Sequence, residues 1–94
     1  MRYTQSIGYP IPGSYGTQAF TGTSANVSST SGGRVLRVKT DESVHIALGN
    51  ATATTSDPLV ESADGWVDFK ITPKQGFSVI QNSTGGTLKY YELD

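Results

Sequence analysis

The chain has no cysteine, one tryptophan, one methionine and one histidine among its 94 residues. Without cysteine no disulfide can staple the fold, no thiolate can act as a nucleophile, and the usual Cys/His zinc sets cannot be assembled. Charge is also sparse. Lys and Arg number 7 and Asp and Glu 8, for a net charge of −1. That balance argues against a protein held to nucleic acid by neutralising phosphates. Long apolar runs are missing too, and none approaches the roughly 20 residues that a membrane-spanning helix needs. Arg2 is followed by Tyr, Thr, Gln and Ser rather than an apolar stretch, so no export signal is expected. The Asn-x-Ser/Thr matches at Asn26, Asn50 and Asn82 are then read as unmodified. Helical apolar spacing is absent, because Gly, Thr and Pro break every candidate window. No repeat of 20–50 residues is present.

What the chain does hold is hydroxyl and small residues. Ser and Thr supply 23 residues, about a quarter of the total. Threonine suits a half-exposed pleated surface, since its branched Cβ favours extended backbone and its hydroxyl faces water. Val, Leu, Ile and Phe supply 20, near the lower limit for a chain that folds alone. Oligomerisation or docking on a larger surface would add stability.

Short alternating segments dominate the second half. Val35–Val38, Val44–Leu48, Trp66–Ile71, Phe77–Gln81 and Leu88–Leu93 each read as a strand. Between them lie turn residues: Thr40-Asp41-Glu42, Ala63-Asp64-Gly65, Pro73-Lys74-Gln75-Gly76 and Ser83-Thr84-Gly85-Gly86. Regular strands with such spacing predict an all-β domain, a small antiparallel β-sandwich or jelly-roll-like barrel of about 6–8 short strands. Ile46, Val67, Phe69, Ile71 and Val79 are the expected core. Thr17–Val27 reads as one weak strand or two, and Gly49–Asp57 as a loop that threonine hydroxyls could order. The domain is expected over 17–94, preceded by an extended N-terminal arm over 1–16. That arm mixes Pro and Gly with Tyr3, Ile7, Tyr9, Ile11 and Tyr15. It reads either as a disordered leader or as a segment that orders against a partner or a neighbouring copy, with Tyr9, Ile11 and Tyr15 as anchors.

Catalytic chemistry finds no constellation. His45 shares strand parity with Ser43, but on a flat strand those side chains stand about 6–7 Å apart, and no orienting acid follows. A structural or surface histidine is the better reading. No D-x-[DN]-x-[DN]-G loop marks a calcium site. Thr84-Gly85-Gly86-Thr87 lacks the lysine and helix of a phosphate loop. No catalytic, cofactor-binding or metal-binding residue is therefore assigned. The aromatics are more informative. Trp66 opposes the apolar parity of its segment, and one of the adjacent Tyr90 and Tyr91 must point outward, so these three are candidate partner contacts. The alternative for Trp66 is a cap on an open end of the sandwich.

The pattern Val44-His45-Ile46-Ala47-Leu48-Gly49, Ala51-Thr52-Ala53-Thr54-Thr55-Ser56, Ser78-Val79-Ile80-Gln81 and Gly85-Gly86-Thr87-Leu88 with terminal Glu92-Leu93 resembles small virion proteins of tailed bacteriophages. It covers residues 34–94. The resemblance implies a non-enzymatic β-sandwich decoration or cement protein. It would bind the major capsid protein or other virion proteins as a dimer or trimer on the capsid surface, after synthesis in the host bacterial cytoplasm. No cofactor, nucleic acid or membrane is implied. A head–tail neck, tail or fibre component is the neighbouring expectation. A carbohydrate-binding module with Trp66 and Tyr90 or Tyr91 as its stacking platform is another.

Overall fold

The structure, a computed structural model, describes residues 9–49 and 52–94. Eight strands are present among them: β1 (Gly16–Phe20), β2 (Ala25–Val27), β3 (Val35–Thr40), β4 (Val44–Leu48), β5 (Leu59–Val60), β6 (Val67–Lys70), β7 (Phe77–Gln81) and β8 (Gly86–Leu93). A single 3-10 turn, Ser62–Asp64, is the helical element described.

The pairing follows a simple rule. β1 pairs with β8, β2 with β7, β3 with β6 and β4 with β5, all antiparallel. This is one long hairpin ribbon. The ribbon is rolled so that β3 also pairs with β8 and β4 with β7. Two four-stranded sheets result, sheet I in the order β1-β8-β3-β6 and sheet II in the order β2-β7-β4-β5. That order is a jelly roll. The all-β expectation therefore holds, and the structure selects the jelly roll between the two architectures the sequence allowed.

Alternation builds the core. In β3, Leu36 and Val38 are buried between Val35 and Arg37, which are half-buried. Val44 and Ile46 of β4 and Phe77 and Val79 of β7 face them from sheet II, Leu88 of β8 lies beside them in sheet I, and Phe20, Val60 and Ile71 complete the cluster. Of the expected core residues, Ile46, Ile71 and Val79 are buried. Val67 and Phe69 are half-buried and pack against the same cluster. Their strand, β6, lies at the edge of sheet I, so one flank stays open. The strand expected over Trp66–Ile71 is shorter, with Trp66 before it and Ile71 after it. Thr17–Val27 becomes two strands in different sheets, as the chain crosses the sandwich between β1 and β2.

The turn after β6 places Pro73 and Lys74 in its centre. Gln75 N–H donates to the Thr72 carbonyl at 2.9 Å and the Gln75 Oε1 accepts from Thr72 N–H at 2.9 Å. Lys74 takes φ of 66°, a left-handed position that glycine would occupy with less strain.

β8 is the longest strand and binds the two ends of the chain together. Its inward residues are Leu88, Tyr90 and Glu92. Tyr90 lies beneath Gly16, where a Cβ would meet the phenol oxygen at 2.6 Å, so a side chain there would displace the ring. Glu92 is 1% exposed. Its carboxylate accepts from Ser31 N–H at 2.8 and 2.9 Å and from Gly33 N–H at 2.9 Å. Gly33 is required there, because a Cβ would press on Glu92 Cβ at 2.6 Å. A buried carboxylate thus clamps the connection before β3 onto β8.

The segment before β1 runs along the end of the same strand. Ile11 N–H donates to the Glu92 carbonyl at 2.9 Å, and Asp94 N–H to the Tyr9 carbonyl at 3.1 Å. Glu92 N–H donates to Ser14 Oγ at 3.0 Å, and that hydroxyl donates to the Ile11 carbonyl at 2.7 Å. Pro10 bridges to Leu93. Residues 9–14 are thus held by their own domain. Tyr3, Ile7 and the rest of 1–8, like Asn50 and Ala51, lie outside the described residues.

Candidate functional site

The sandwich has two outer faces, and they differ. On sheet II, strand alternation turns His45 and Ala47 of β4 and Ser78 of β7 away from the core. All three are nonetheless buried, at 6%, 6% and 1% exposure. The Thr-rich connection between β4 and β5, a strap described over 52–58, is bonded to this side of the sheet. Ala53, buried itself, donates its N–H to Ser24 Oγ at 2.9 Å beside β2. His45 Nδ1 meets the Asp57 carbonyl at 2.8 Å, and its Nε2 lies 2.9 Å from the side-chain amide of Asn82. A turn stiffens the strap: the Asp57 carboxylate accepts from Thr54 N–H at 2.8 Å, and Thr54 Oγ1 accepts from Ser56 N–H at 3.2 Å. Thr54 thus supplies the hydroxyl ordering that the sequence suggested. His45 is buried with both ring nitrogens engaged, and neither bonds to Ser43.

On sheet I the outward parity carries Arg37 and Lys39 of β3, Lys89 and Tyr91 of β8, and Asp68 and Lys70 of β6. The register sets them in rows. Arg37 stands between Tyr91 and Asp68, and Lys39 opposite Lys89. Arg37 donates from Nε and Nη2 to the two Asp68 oxygens at 2.7 and 2.9 Å, and from Nη1 to Tyr91 Oη at 3.4 Å. These bonds, the Asp68 pair first, hold its guanidinium more basic than usual. Trp66 meets Tyr91 edge to face, with ring centroids 5.2 Å apart and planes at 70°. The Arg37 guanidinium carbon lies 5.9 Å from the Tyr91 ring centre, and Lys39 Nζ 5.8 Å from that of Trp66. Beside them a depression of about 240 Å³ is lined by Lys39, Thr40, Asp41, Thr87 and Lys89. Trp66 remains 44% exposed.

The candidate contact residues divide accordingly. Trp66 and Tyr91 are in contact on this face. Tyr15, 59% exposed, immediately precedes β1 in the same sheet. Tyr90 turns inward, packing edge to face on Phe77 at 5.2 Å. Burial, and then the charge of Glu92, raises its phenol above the ordinary tyrosine range. Ile11 is half-buried against the end of β8, and Tyr9 is 84% exposed beside it. The register therefore gathers Trp66 and Tyr91 and separates them from Tyr90. Sequence reading did not single out Arg37, Lys39 or Lys89 as partner contacts. Each alternates with inward residues, so parity alone could have found them, but not their pairing.

Among the described residues no group of three or more His, Asp or Glu is placed to hold a metal ion, and no helix is long and apolar enough to cross a membrane. No protein-family model matches the chain, and comparison with curated proteins and with solved structures finds no match.

Proposed function

We propose that the protein is a non-enzymatic structural component of a bacteriophage virion. It decorates or cements the capsid, docking on the major capsid protein through the outer face of sheet I. The observation that carries this reading is the contrast between the faces: among the described residues one is sealed by the chain's own strap, while the other leaves Trp66, Lys39 and Lys89 exposed beside a half-buried Tyr91. Exposed Trp and Tyr braced by neighbouring side chains are typical anchors of protein contacts. Weak individual contacts suffice when many copies are displayed on one shell. The resemblance of residues 34–94 to small phage virion proteins supports the same conclusion. Jelly rolls occur in capsid and in lectin domains, so the fold by itself does not choose between them. The aromatic geometry does favour one. A sugar ring stacks on an open aromatic face, whereas here Trp66 and Tyr91 cross at 70° and a cation lies over each.

Co-sedimentation with purified empty shells tests the proposal. The native chain is expected in the pellet, and Trp66→Ala is expected to bind about tenfold more weakly while melting at nearly the same temperature. No sedimentation with shells, together with binding to isolated tails, would move the protein to the neck or tail. Binding to neither would overturn the proposal.

A further inference from the structure

We infer that the outer face of sheet I docks a carboxylate-bearing segment of a partner protein, with Lys39 and Lys89 receiving its acidic side chains and Trp66 covering an apolar flank. The inference rests on reading this face as the docking surface and adds the chemistry of what lies on it.

Lys39 and Lys89 are direct cross-strand partners. Like charges set opposite one another weaken a ladder. Among the described residues the ion pair present joins Arg37 to Asp68, so the strongest cation of the face is already answered by an acid. The two lysines are exposed and have no such answer. The nearest acid lining the same depression is Asp41, and its Oδ1 accepts from Thr87 N–H at 2.8 Å. Lys39 is met locally only by the Trp66 ring, and a like-charge pairing that no acid offsets marks a place shaped by something else. A carboxylate offers acceptor lone pairs to both ammonium groups at once, which turns the repulsion into a bridge.

Charge is also unevenly spread. The outward sides of the sheet I strands carry four of the chain's 7 basic residues, Arg37, Lys39, Lys70 and Lys89, against the single acid Asp68, in a molecule whose net charge is −1. The face is therefore positive while the remainder is negative. Such a local field orients an acidic surface that approaches this face. A nucleic acid would need stacking faces as well as cations, and the faces of Trp66 and Tyr91 are met by Lys39 and Arg37. The ring edges that remain suit an aliphatic side chain flanking the acids.

Trp66 is the sole tryptophan, so its emission reports on this face alone. Titration of the full-length protein with poly-L-glutamate at low salt should change that emission saturably. Lys89→Glu and the double variant Lys39→Gln/Lys89→Gln should each weaken the response about tenfold or more, and salt at several times physiological strength should do likewise. Both variants change exposed side chains, and thermal melts of each verify that they fold. No response to poly-L-glutamate, or a response indifferent to both variants, overturns the inference. A response to dextran sulfate or single-stranded DNA in place of poly-L-glutamate overturns it too. The shell experiment separates this inference from the reading beneath it. Loss of shell binding in Trp66→Ala with no poly-L-glutamate response keeps the docking face and removes the acidic partner. A lysine-dependent poly-L-glutamate response without shell binding keeps the acidic partner and removes the capsid.

Discussion

The outer faces of sheets I and II are built from the same strand grammar and end in opposite states. On sheet II the outward residues are small or internally bonded, Ala47, Ser78 and His45, and a strap lies over them. On sheet I they are long or aromatic, Arg37, Lys39, Lys89, Tyr91 and the adjacent Trp66, and among the described residues none lies over them as a strap. Small side chains let a loop approach closely enough to bond backbone and imidazole. Long charged ones keep a loop away and keep the surface wet. In this molecule outward composition distinguishes a face that the domain consumes from one that it presents.

The largest test of that contrast places a charge on each face. Ala47→Glu would bury a carboxylate with no partner under the strap, and should cost about 3 kcal/mol or more. Lys89→Glu, on the bare face, should change stability by less than about 1 kcal/mol, in the stabilising direction because it sets opposite charges across the ladder. Urea denaturation of both variants measures this. A similar, small effect for each would mean that the strap lifts freely and the two faces are not different in kind.

His45→Ala sharpens the account of the seal. It removes both imidazole contacts, and should cost about 1–2 kcal/mol while speeding hydrogen exchange at the Ala53 amide. Exchange at Ala53 unchanged by the substitution would mean that the Ser24 contact alone holds the strap.

The tyrosine pair offers a test in pH. Tyr90 is harder to ionise in the folded chain than in the unfolded one, first through burial and then through Glu92. A raised phenol pKa gives stability that is whole below the ordinary value near 10 and is lost as pH rises through the folded value. Tyr90→Phe should therefore flatten the alkaline fall in melting temperature. An alkaline profile identical to that of the native chain would place the burial elsewhere.

The smallest effect concerns neither face and serves as a baseline. Lys74 holds a left-handed φ, so Lys74→Gly should change stability by no more than about 1 kcal/mol, with relief of strain set against the greater freedom of glycine when unfolded. A calorimetric scan should show a shift of only a few degrees. A large fall would mean that the lysine side chain contributes a contact beyond the turn.

Much of this was legible in the residues. Period-two alternation located β3, β4, β7 and β8 and separated Leu36 and Val38 from Arg37 and Lys39, because one face of each strand must be dry. Trp66 stood out by opposing Val67 and Phe69. Register was not legible. Nothing local says that Lys39 will face Lys89, or that Arg37 will lie between Tyr91 and Asp68, since those partners are about 30 to 55 residues apart and meet only through the roll of the ribbon. The sealed face was hidden for a similar reason. His45, Ala47 and Ser78 look like ordinary outward residues until the Thr-rich strap crosses them. Glu92 was hidden by its charge. It shares the inward parity of Leu88 and Tyr90, yet a carboxylate is rarely buried without partners, and its partners are backbone amides that no composition displays.

The central claim is that the bare face of sheet I is the one that docks. Hydroxyl-radical footprinting of the protein, free and bound to purified empty shells, tests it residue by residue through mass spectrometry. Trp66 and Leu59 serve as paired reporters, because they are 44% and 43% exposed, Leu59 lying in β5 of sheet II and Trp66 immediately before β6 of sheet I. The account predicts that binding slows oxidation of Trp66 and Tyr91 severalfold and leaves Leu59 unchanged. Protection of Leu59 with Trp66 still reactive on the bound protein would contradict it.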